Sequence, residues 1–420
     1  DIVNYVRLTI LSTTTESVLP VPVEVESMTI TAQSKAGKDY SRGASIVLDR
    51  KEILAFDQTD ANSILQNQPG IYGRQEDGWG LRMNIGIRGT GTLRSSRITL
   101  MEDGILTAPA AYSAPDAYYT PVIWKYSHIE VLKGAAQIVT GPQSTGGALN
   151  FVTPVGNEKS DIQFTLARGA FNQIKGAISG EVLPTNRTQL LFGLAHHEAS
   201  GFHTIQDKQG GGFNLNDGYL KLIHHLDNKD KHHLEMLVAG TSERSEQTYL
   251  GTTLSTASTS PNERYFSSSN DEMTMDRLMT RLGYTINLKQ GFIRADVYRQ
   301  YVHRNWYKLN KIDAGNGAVS IATILNQQVD YPAEFAAMRG ENSDTAIAQL
   351  KANNRYYLSQ GLQLRGQFTQ RFGNIILRHE AGLRFHYDHA DRFQHSDSFS
   401  IGPNTFNLTQ AGIAGAAGNR

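Results

Sequence analysis

RLMTRLGYTINL, Arg277 to Leu288, places Leu278, Thr280, Leu282, Tyr284, Ile286 and Leu288 on one side of an extended chain. Arg277, Met279, Arg281, Gly283, Thr285 and Asn287 fall on the other. Successive side chains of a strand point to opposite faces, so this is a strand with one apolar face and one face that keeps its arginines. The run Leu377 to Asp388 repeats the pattern, with Ala381, Leu383, Phe385 and Tyr387 opposite Arg378, Glu380, Arg384, His386 and Asp388. Ile174/Ile178/Val182 and Leu190/Phe192/Leu194 do so on a smaller scale.

A β-sandwich also alternates, and the connections separate the two architectures. Tight turns at Pro184 to Arg187, Asp227 to Lys231, Lys289 to Gly291 and Gln370 to Asn374 alternate with long segments at Ser200 to Asn214, Glu243 to Glu272 and Arg304 to Lys351. Short turns on one side and long loops on the other are the habit of membrane β-barrels, and a sandwich has no reason to keep that order. Composition agrees. No stretch approaches the roughly 20 apolar residues of a spanning helix. Barrel strands, in contrast, look only mildly hydrophobic because their two faces differ. With 40 basic and 40 acidic side chains, no net charge draws the chain to nucleic acid. Cysteine is absent, which excludes disulfides and thiolate metal sites.

Residues 1–26, rich in Thr, Val and Pro, read as an extended lead-in without a fold. The opening DIVNYVRLTIL lacks a signal-peptide core and cleavage site, so the chain is expected to be mature or to start within a longer one. From Met28 to Thr153 the signals are mixed: a helix near Asp60 to Gln66 stopped by Pro69-Gly70, then brief β runs between Gly-rich turns, as in a small α+β domain.

Four runs of this segment carry a resemblance: SMTITAQ (Ser27 to Gln33), ANSILQNQPGIYG (Ala61 to Gly73), NIGIRGTGTLRSSRITLMEDGI (Asn84 to Ile105) and IEVLKGAAQIVTGPQSTGGALNFVTP (Ile129 to Pro154). In this order and spacing they resemble the plug of TonB-dependent receptors, most closely that of the ferric dicitrate receptor group. The resemblance implies a lead-in at 1–26, a TonB-box-like segment at 27–33, a plug at 34–154 and the first part of a barrel at 155–420. The fold expected is an antiparallel transmembrane β-barrel in the Gram-negative outer membrane with the plug in its lumen. About nine strands can be placed, whereas a lumen that holds a plug takes about 22, so the rest of the barrel is expected to lie outside this sequence.

Residue by residue, Ser27, Met28, Thr29, Ile30, Thr31 and Ala32 match the box on which TonB and its inner-membrane motor pull. Being β-prone and preceded by prolines, they also suit strand addition to a partner's sheet. Gly86, Gly89 and Gly91 bracket Arg88, and Gly141, Gly146 and Gly147 surround Pro142-Gln143-Ser144, as expected where backbone must approach a barrel wall closely. Thr90, Thr92, Arg94, Ser95, Ser96 and Arg97 match a plug apex, with two guanidiniums suited to carboxylates. Tyr112, in the second apex Pro109 to Tyr112, would add aromatic contact. The inward arginines Arg277, Arg281, Arg365 and Arg384 either give the lumen basic patches or form ladders with acids such as Glu235, Asp296 and Glu380.

The pairs His196-His197, His224-His225 and His232-His233 cannot chelate with both rings, because strand neighbours face opposite ways. His203, in an outer loop, is the best single histidine candidate, and no metal site is expected. No phosphate loop and no catalytic Ser-His-Asp order, HExxH or paired-carboxylate motif is present, so no enzyme is expected. The expected function is import of a ferric chelate, citrate or another siderophore, with iron as cargo and no cofactor. A receptor for haem, another metal chelate or cobalamin, or a non-transporting outer-membrane binding protein, is the alternative. The partners are TonB, the chelate and outer-membrane lipid.

Overall fold

The computed structural model describes residues 4–11, 44–55, 60–107, 119–140, 145–156, 160–206, 208–248, 250–341, 345–372 and 375–416. The segment 27–33, Pro109 to Tyr112 and Gly141 to Ser144 lie outside them. Ahead of everything else comes strand β1 (Asn4–Leu11), whose place is given below.

The small domain opens with β2 (Ala44–Asp49), followed directly by helix α1 (Arg50–Ala55) and then α2 (Ala61–Leu65). Asp60 caps α2: its carboxylate accepts from Asn62 N–H at 2.7 Å, a donor that the helix start leaves unsatisfied, and from Ser63 Oγ at 2.8 Å. The ladder continues with β3 (Ile71–Gly73), β4 (Ile85–Ile87), β5 (Ile98–Glu102), β6 (Ile105–Leu106), β7 (His128–Lys133) and β8 (Gly147–Val152). One sheet runs β2-β7-β8-β5-β6, with only β5 and β8 parallel, and β3 pairs with β4. Its core joins Leu48, Ile53, Ile64, Leu65, Ile85, Ile87, Tyr126, Ile129, Val131, Leu149 and Phe151, all nearly or fully buried.

The second unit is one curved antiparallel sheet. Its long strands are β9 (Asp161–Arg168), β10 (Ile174–Thr185), β11 (Thr188–Ala199), then, beyond a small hairpin of β12 (His203–Ile205) and β13 (Lys208–Gly210), β14 (Phe213–His225) and β15 (His232–Ser245). After α3 (Leu254–Thr259) come β16 (Glu272–Leu288) and β17 (Gly291–Asp313). Past β18 (Val319–Ser320), α4 (Ile321–Asn326) and α5 (Pro332–Arg339), the sheet closes its sequence with β19 (Ala346–Phe372), β20 (Ile375–Arg392), β21 (His395–Gly402) and β22 (Thr405–Gln410). From β9 to β20 each long strand pairs with the next, β21 pairs with the start of β19 rather than with β20, and the nine long strands β9, β10, β11, β14, β15, β16, β17, β19 and β20 match the number expected. The alternation holds: Arg277, Met279 and Arg281 are buried on the inner face while Leu278 and Leu282 are more than half exposed on the outer one.

Two expectations are corrected. Residues Asn4–Leu11 are not an unstructured lead-in; they pair antiparallel with β9, from Asn4↔Arg168 to Leu11↔Asp161. NYVRLTIL is itself β-prone, and the outer edge of β9 offers it a row of unpaired backbone groups. The segment Arg304 to Lys351 is not all loop, since β17 runs on to Asp313 and β19 starts at Ala346. Above the apolar band, outward residues such as Asn305 and Tyr307 are polar, and the register shifts between Leu309 and Lys311, so the hydropathy period disappears although the ladder continues. Leu309, Ile312, Ile324, Met338, Leu350 and Ile401 form a separate hydrophobic core over this extension.

Candidate functional site

The small domain lies against the inner face of the wall through buried contacts, both polar and apolar. Four ion pairs cross the seam among the described residues. Arg82 meets Glu243 with both guanidinium nitrogens, at 2.9 and 2.5 Å. Lys125 lies 2.9 Å from Asp217, which also accepts from Trp124 Nε1 at 2.9 Å and Thr241 Oγ1 at 2.7 Å. Arg281 bridges Asp103, at 3.1 Å, and Glu235. Glu102 accepts from Arg277 and Tyr126, and from Tyr119 at 2.6 Å, while the Arg277 guanidinium stacks 4.1 Å above the Tyr119 ring. Burial alone would raise the Glu102 carboxyl. Arg277, then Lys125 and the two phenols, outweigh it and hold the group down to about 2.

Such pairs gain little over an apolar seam while intact, but removing one partner costs about 3–5 kcal/mol because a buried charge is stranded. These pairs fix register beside smaller apolar contacts across the seam, where Leu81, Val122 and Trp79 meet Phe213 and Leu215, Tyr119 meets Met273 and Trp306, and Ile105 meets Met279. The inward arginines of the sequence reading thus divide: Arg277 and Arg281 hold the small domain, and Arg365 pairs with Glu380 at 2.9 Å. Arg384 donates to Gln363 Oε1 at 2.9 Å and to Thr140 O at 3.3 Å. Arg294 joins the ladder at Asp296 and Glu235.

Glycine plays a different part from the one expected. A Cβ at Gly86 would lie 2.2 Å from Thr90 O, and one at Gly146 2.8 Å from Arg97 O, so these glycines pack the domain against itself. Close approach across the seam is made by Gly193 of β11, where a Cβ would come within 2.7 Å of the Trp124 ring.

The apex residues separate. Thr90 Oγ1 exchanges hydrogen bonds with Ile87 N and O, both 3.0 Å, and braces its own turn. Ser95 is buried, accepting from Ile85 N–H and donating to Met83 O at 3.0 Å each. Thr92 is half-buried, and Ser96 and Arg97 are exposed. Arg94, at φ +55°, turns to the wall: Nη2 lies 3.0 Å from Glu76 Oε1 and the guanidinium 5.3 Å from the Trp306 ring centroid.

Trp306 leads to a feature missed in the sequence. Lys308 Nζ lies 5.1 Å from the same ring, so one indole carries two cations. In the ladder Lys308 faces Lys351, Trp306 faces Asn353, and Arg304 faces Arg355, which in turn faces Arg392. Like charges directly opposite are destabilising in a sheet, and here they stand in two rows, one on either side of the Trp306/Asn353 row, at the long-loop end beside Arg94. The wall residues that reveal this lie 37 to 88 positions apart, and only the register joins them.

The histidine pairs split across faces as expected. His196 and His232 turn outward to Asn216 and Tyr284, while His197 packs edge-on against Phe213 and His225 lies beside His233. His203 sits against Phe202 in the β12–β13 hairpin, and burial lowers it to about 4. Among the described residues no group of three His, Asp or Glu side chains is placed to hold a metal ion.

A sequence profile described as TonB-dependent Receptor Plug Domain matches residues 38–148. The vitamin B12 transporter BtuB of Vibrio cholerae serotype O1 is 24% identical over 208 residues, 48% of this chain and 33% of that protein. Among solved structures, the unliganded ferric citrate transporter FecA superposes with a TM-score of 0.63 at 19% identity, covering 90% of this chain and 51% of FecA. The open form of the ferric-catecholate import receptor Fiu from E. coli K12 gives 0.60 at 12%, covering 91% and 54%. The chain spans about half the length of these structures. The small domain matches the plug of TonB-dependent receptors, and the curved sheet has the fold of part of the barrel that surrounds such a plug in the outer-membrane receptors it superposes on.

Proposed function

We propose that the receptor containing this chain imports an anionic ferric chelate, driven by TonB. The observation that carries the reading is the pair of like-charged rows at the outer mouth, Lys308/Lys351 and Arg304/Arg355/Arg392, facing a plug apex whose Arg94 shares their tryptophan. An anionic ligand entering that mouth would meet a concentration of positive charge. Carboxylates or catecholate oxygens of a ferric chelate would take charge-assisted, partly bidentate hydrogen bonds there. Cobalamin, an amide-rich and nearly neutral corrinoid, would use the rows poorly.

The seam supports the second half of the reading. Its ion pairs hold the plug in register, yet each charge can regain water once the plug moves, which lowers the cost of displacing the plug by pulling on the segment Ser27 to Ala32. The test is equilibrium binding of ferric citrate and a panel of ferric siderophores to the intact receptor and to Arg355→Gln, together with uptake by cells expressing Ile30→Pro. Arg355→Gln should bind the cognate chelate roughly tenfold or more weakly, one charge-assisted contact being worth about 1.5–3 kcal/mol. Ile30→Pro should bind normally and fail to import, because proline resists strand addition. Unchanged affinity in Arg355→Gln removes the anionic reading. Import by Ile30→Pro removes the role of the segment.

A further inference from the structure

Cross-strand register changes what the histidine pairs can do. Within His224-His225 and His232-His233 the two rings face opposite ways, but the turn at 226–231 brings one member of each pair together: His225 stands directly opposite His233. Leu226 N–H donates to His232 O at 2.8 Å, so that pair carries the ladder hydrogen bond, and His225/His233 is the narrow pair, where facing side chains come closest. The two ring centroids are 5.8 Å apart at an interplanar angle of 41°. A metal ion roughly 2.0–2.1 Å from one nitrogen of each ring would hold the centroids about 5–6 Å apart. The rings therefore already stand at the spacing that one shared ion requires.

Both rings lie on the inner face, His225 7% and His233 2% exposed. Neither nitrogen of His233 has a hydrogen-bond partner. Buried polar groups are nearly always hydrogen-bonded, and an imidazole shut away from water with two idle nitrogens is a costly exception. Thr285, opposite His233 on β16, does not relieve it, because its hydroxyl accepts from Arg294. Asp230 Oδ1 lies 3.0 Å from His225 Nδ1, not aligned as a hydrogen bond but placed to accept one after a small rotation. A carboxylate on one ring nitrogen fixes the tautomer that leaves the other nitrogen free for a metal.

The surrounding charge admits a cation. Glu235 is shared by Lys221, Arg281 and Arg294, Arg281 also meets Asp103, and Arg294 also meets Asp296. With Asp230, four carboxylates face three cations in this network. Lys229 and Lys231 on the turn are exposed, and water and salt screen them. The Asp230 side chain is 32% exposed, which opens the site towards the short-turn end of the wall.

We propose that His225 and His233 bind one divalent metal ion of the zinc and copper class, with water completing the coordination and Asp230 orienting His225. Imidazole selects such ions over Mg²⁺ and Ca²⁺, which take oxygen ligands. Two imidazoles fall short of the four protein ligands of a structural zinc centre, so the ion exchanges with solution. While bound, it staples β14 to β15 beside their turn. The site lies at the opposite end of the wall from the cationic rows and is independent of the cargo.

The test is titration of the intact, metal-free receptor with ZnCl₂ and CuCl₂ near neutral pH. His225→Gln and His233→Gln should each weaken binding about a hundredfold, and Asp230→Asn about tenfold, as for partners that orient a metal-bound histidine. His224→Gln and His232→Gln, which alter the outward member of each pair, should leave binding unchanged. Two arms need no variant. Bound Cu²⁺ should show electron paramagnetic resonance splitting from two ring nitrogens, and Zn²⁺ should raise the Tm of the receptor while millimolar Mg²⁺ or Ca²⁺ should not. A copper spectrum without two nitrogens, or equal binding by the double variant His225→Gln/His233→Gln, overturns the site. Loss of binding in His224→Gln or His232→Gln alone also overturns it, and unchanged binding by Asp230→Asn overturns the role of the carboxylate.

Discussion

The Arg94 guanidinium of the plug lies 5.3 Å from the centroid of the Trp306 ring on the wall, while its Nη2 is held 3.0 Å from Glu76. One apex arginine thus belongs both to the plug–wall contact and to the edge of the cationic rows. Cargo that drew on Arg94 would compete with Glu76 and change how the apex is docked, so the proposed anion site and the plug–wall contact share one residue.

The seam should behave as coupled charge pairs rather than as a sum of contacts. Glu102→Leu strands Arg277 in a buried site and should destabilise the plug by about 3–5 kcal/mol, whereas Glu102→Leu with Arg277→Met should recover most of that. Thermal unfolding and protease sensitivity of the plug report the cycle. Additive losses in the double variant would show that the two residues do not act as a pair.

Two carboxylates give opposite responses to pH. Glu102 is held near 2, below its ordinary 4.5, so its stabilisation is complete above 4.5 and is lost as pH falls towards 2. The fluorescence of neighbouring Trp124 should change over that window and not above it. Asp271, in the segment between β15 and β16, is pushed up to about 7 by burial, although Leu309 N–H and Thr248 Oγ1 both donate to it at 2.8 Å. Its contribution is complete below 3.8 and is lost as pH rises through 7, so amide protection of the segment 246–271, measured relative to the intrinsic exchange rate at each pH, should be lower at pH 8 than at pH 5. Asp271→Asn should abolish that difference.

Much of this architecture was legible because barrels repeat. Leu278, Leu282 and Tyr284 against Arg277 and Arg281 fix the facing of β16, and the Asp60 cap with Pro69-Gly70 bounds α2. The extension of β17 past Arg304 was not legible, since outside lipid nothing forces one face to be apolar. The cationic rows were hidden for another reason: Arg304, Arg355 and Arg392 become neighbours only through register, and no local pattern marks any of them. Arg94 and Arg97 look equivalent in RSSR, yet the positive φ of Arg94 and Ser95 turns one inward and leaves the other exposed.

Trp79 should link the plug to the outer loops. Its ring lies among Phe171, Phe202 and Phe213, with centroids 6.4, 5.5 and 5.3 Å away, and its Nε1 donates to Gly211 O at 3.0 Å. Asp77 fixes the turn that presents it, accepting from the N–H groups of Trp79, Gly80, Leu81 and Arg82. Trp79→Ala should cost about 2–3 kcal/mol, less than the 3–5 of a fully buried aromatic because the ring is half-exposed. Amide exchange at 169–173 and 200–212 should rise while that at β16 and β17 stays constant; a uniform rise would make Trp79 an ordinary packing residue.

Glu76 separates docking from cargo binding at Arg94. If Arg94 serves only to dock the apex, Glu76→Gln and Arg94→Gln each remove one side of the same partly exposed pair, and chelate affinity should fall or stay level in both. If Arg94 also serves an anionic chelate, the signs differ. Arg94→Gln removes an attractive charge and should weaken binding roughly tenfold or more. Glu76→Gln removes a repulsive carboxylate and releases the guanidinium, so binding should tighten, by about threefold to tenfold for a partly screened charge. The gain should shrink as salt rises from 50 to 500 mM, since the repulsion is Coulombic and the Debye length shortens. Arg97→Gln, altering an exposed side chain, should fall below either effect. Isothermal titration of the intact receptor with its cognate ferric chelate reads all three variants, and weaker binding by Glu76→Gln would leave Arg94 as a docking residue alone.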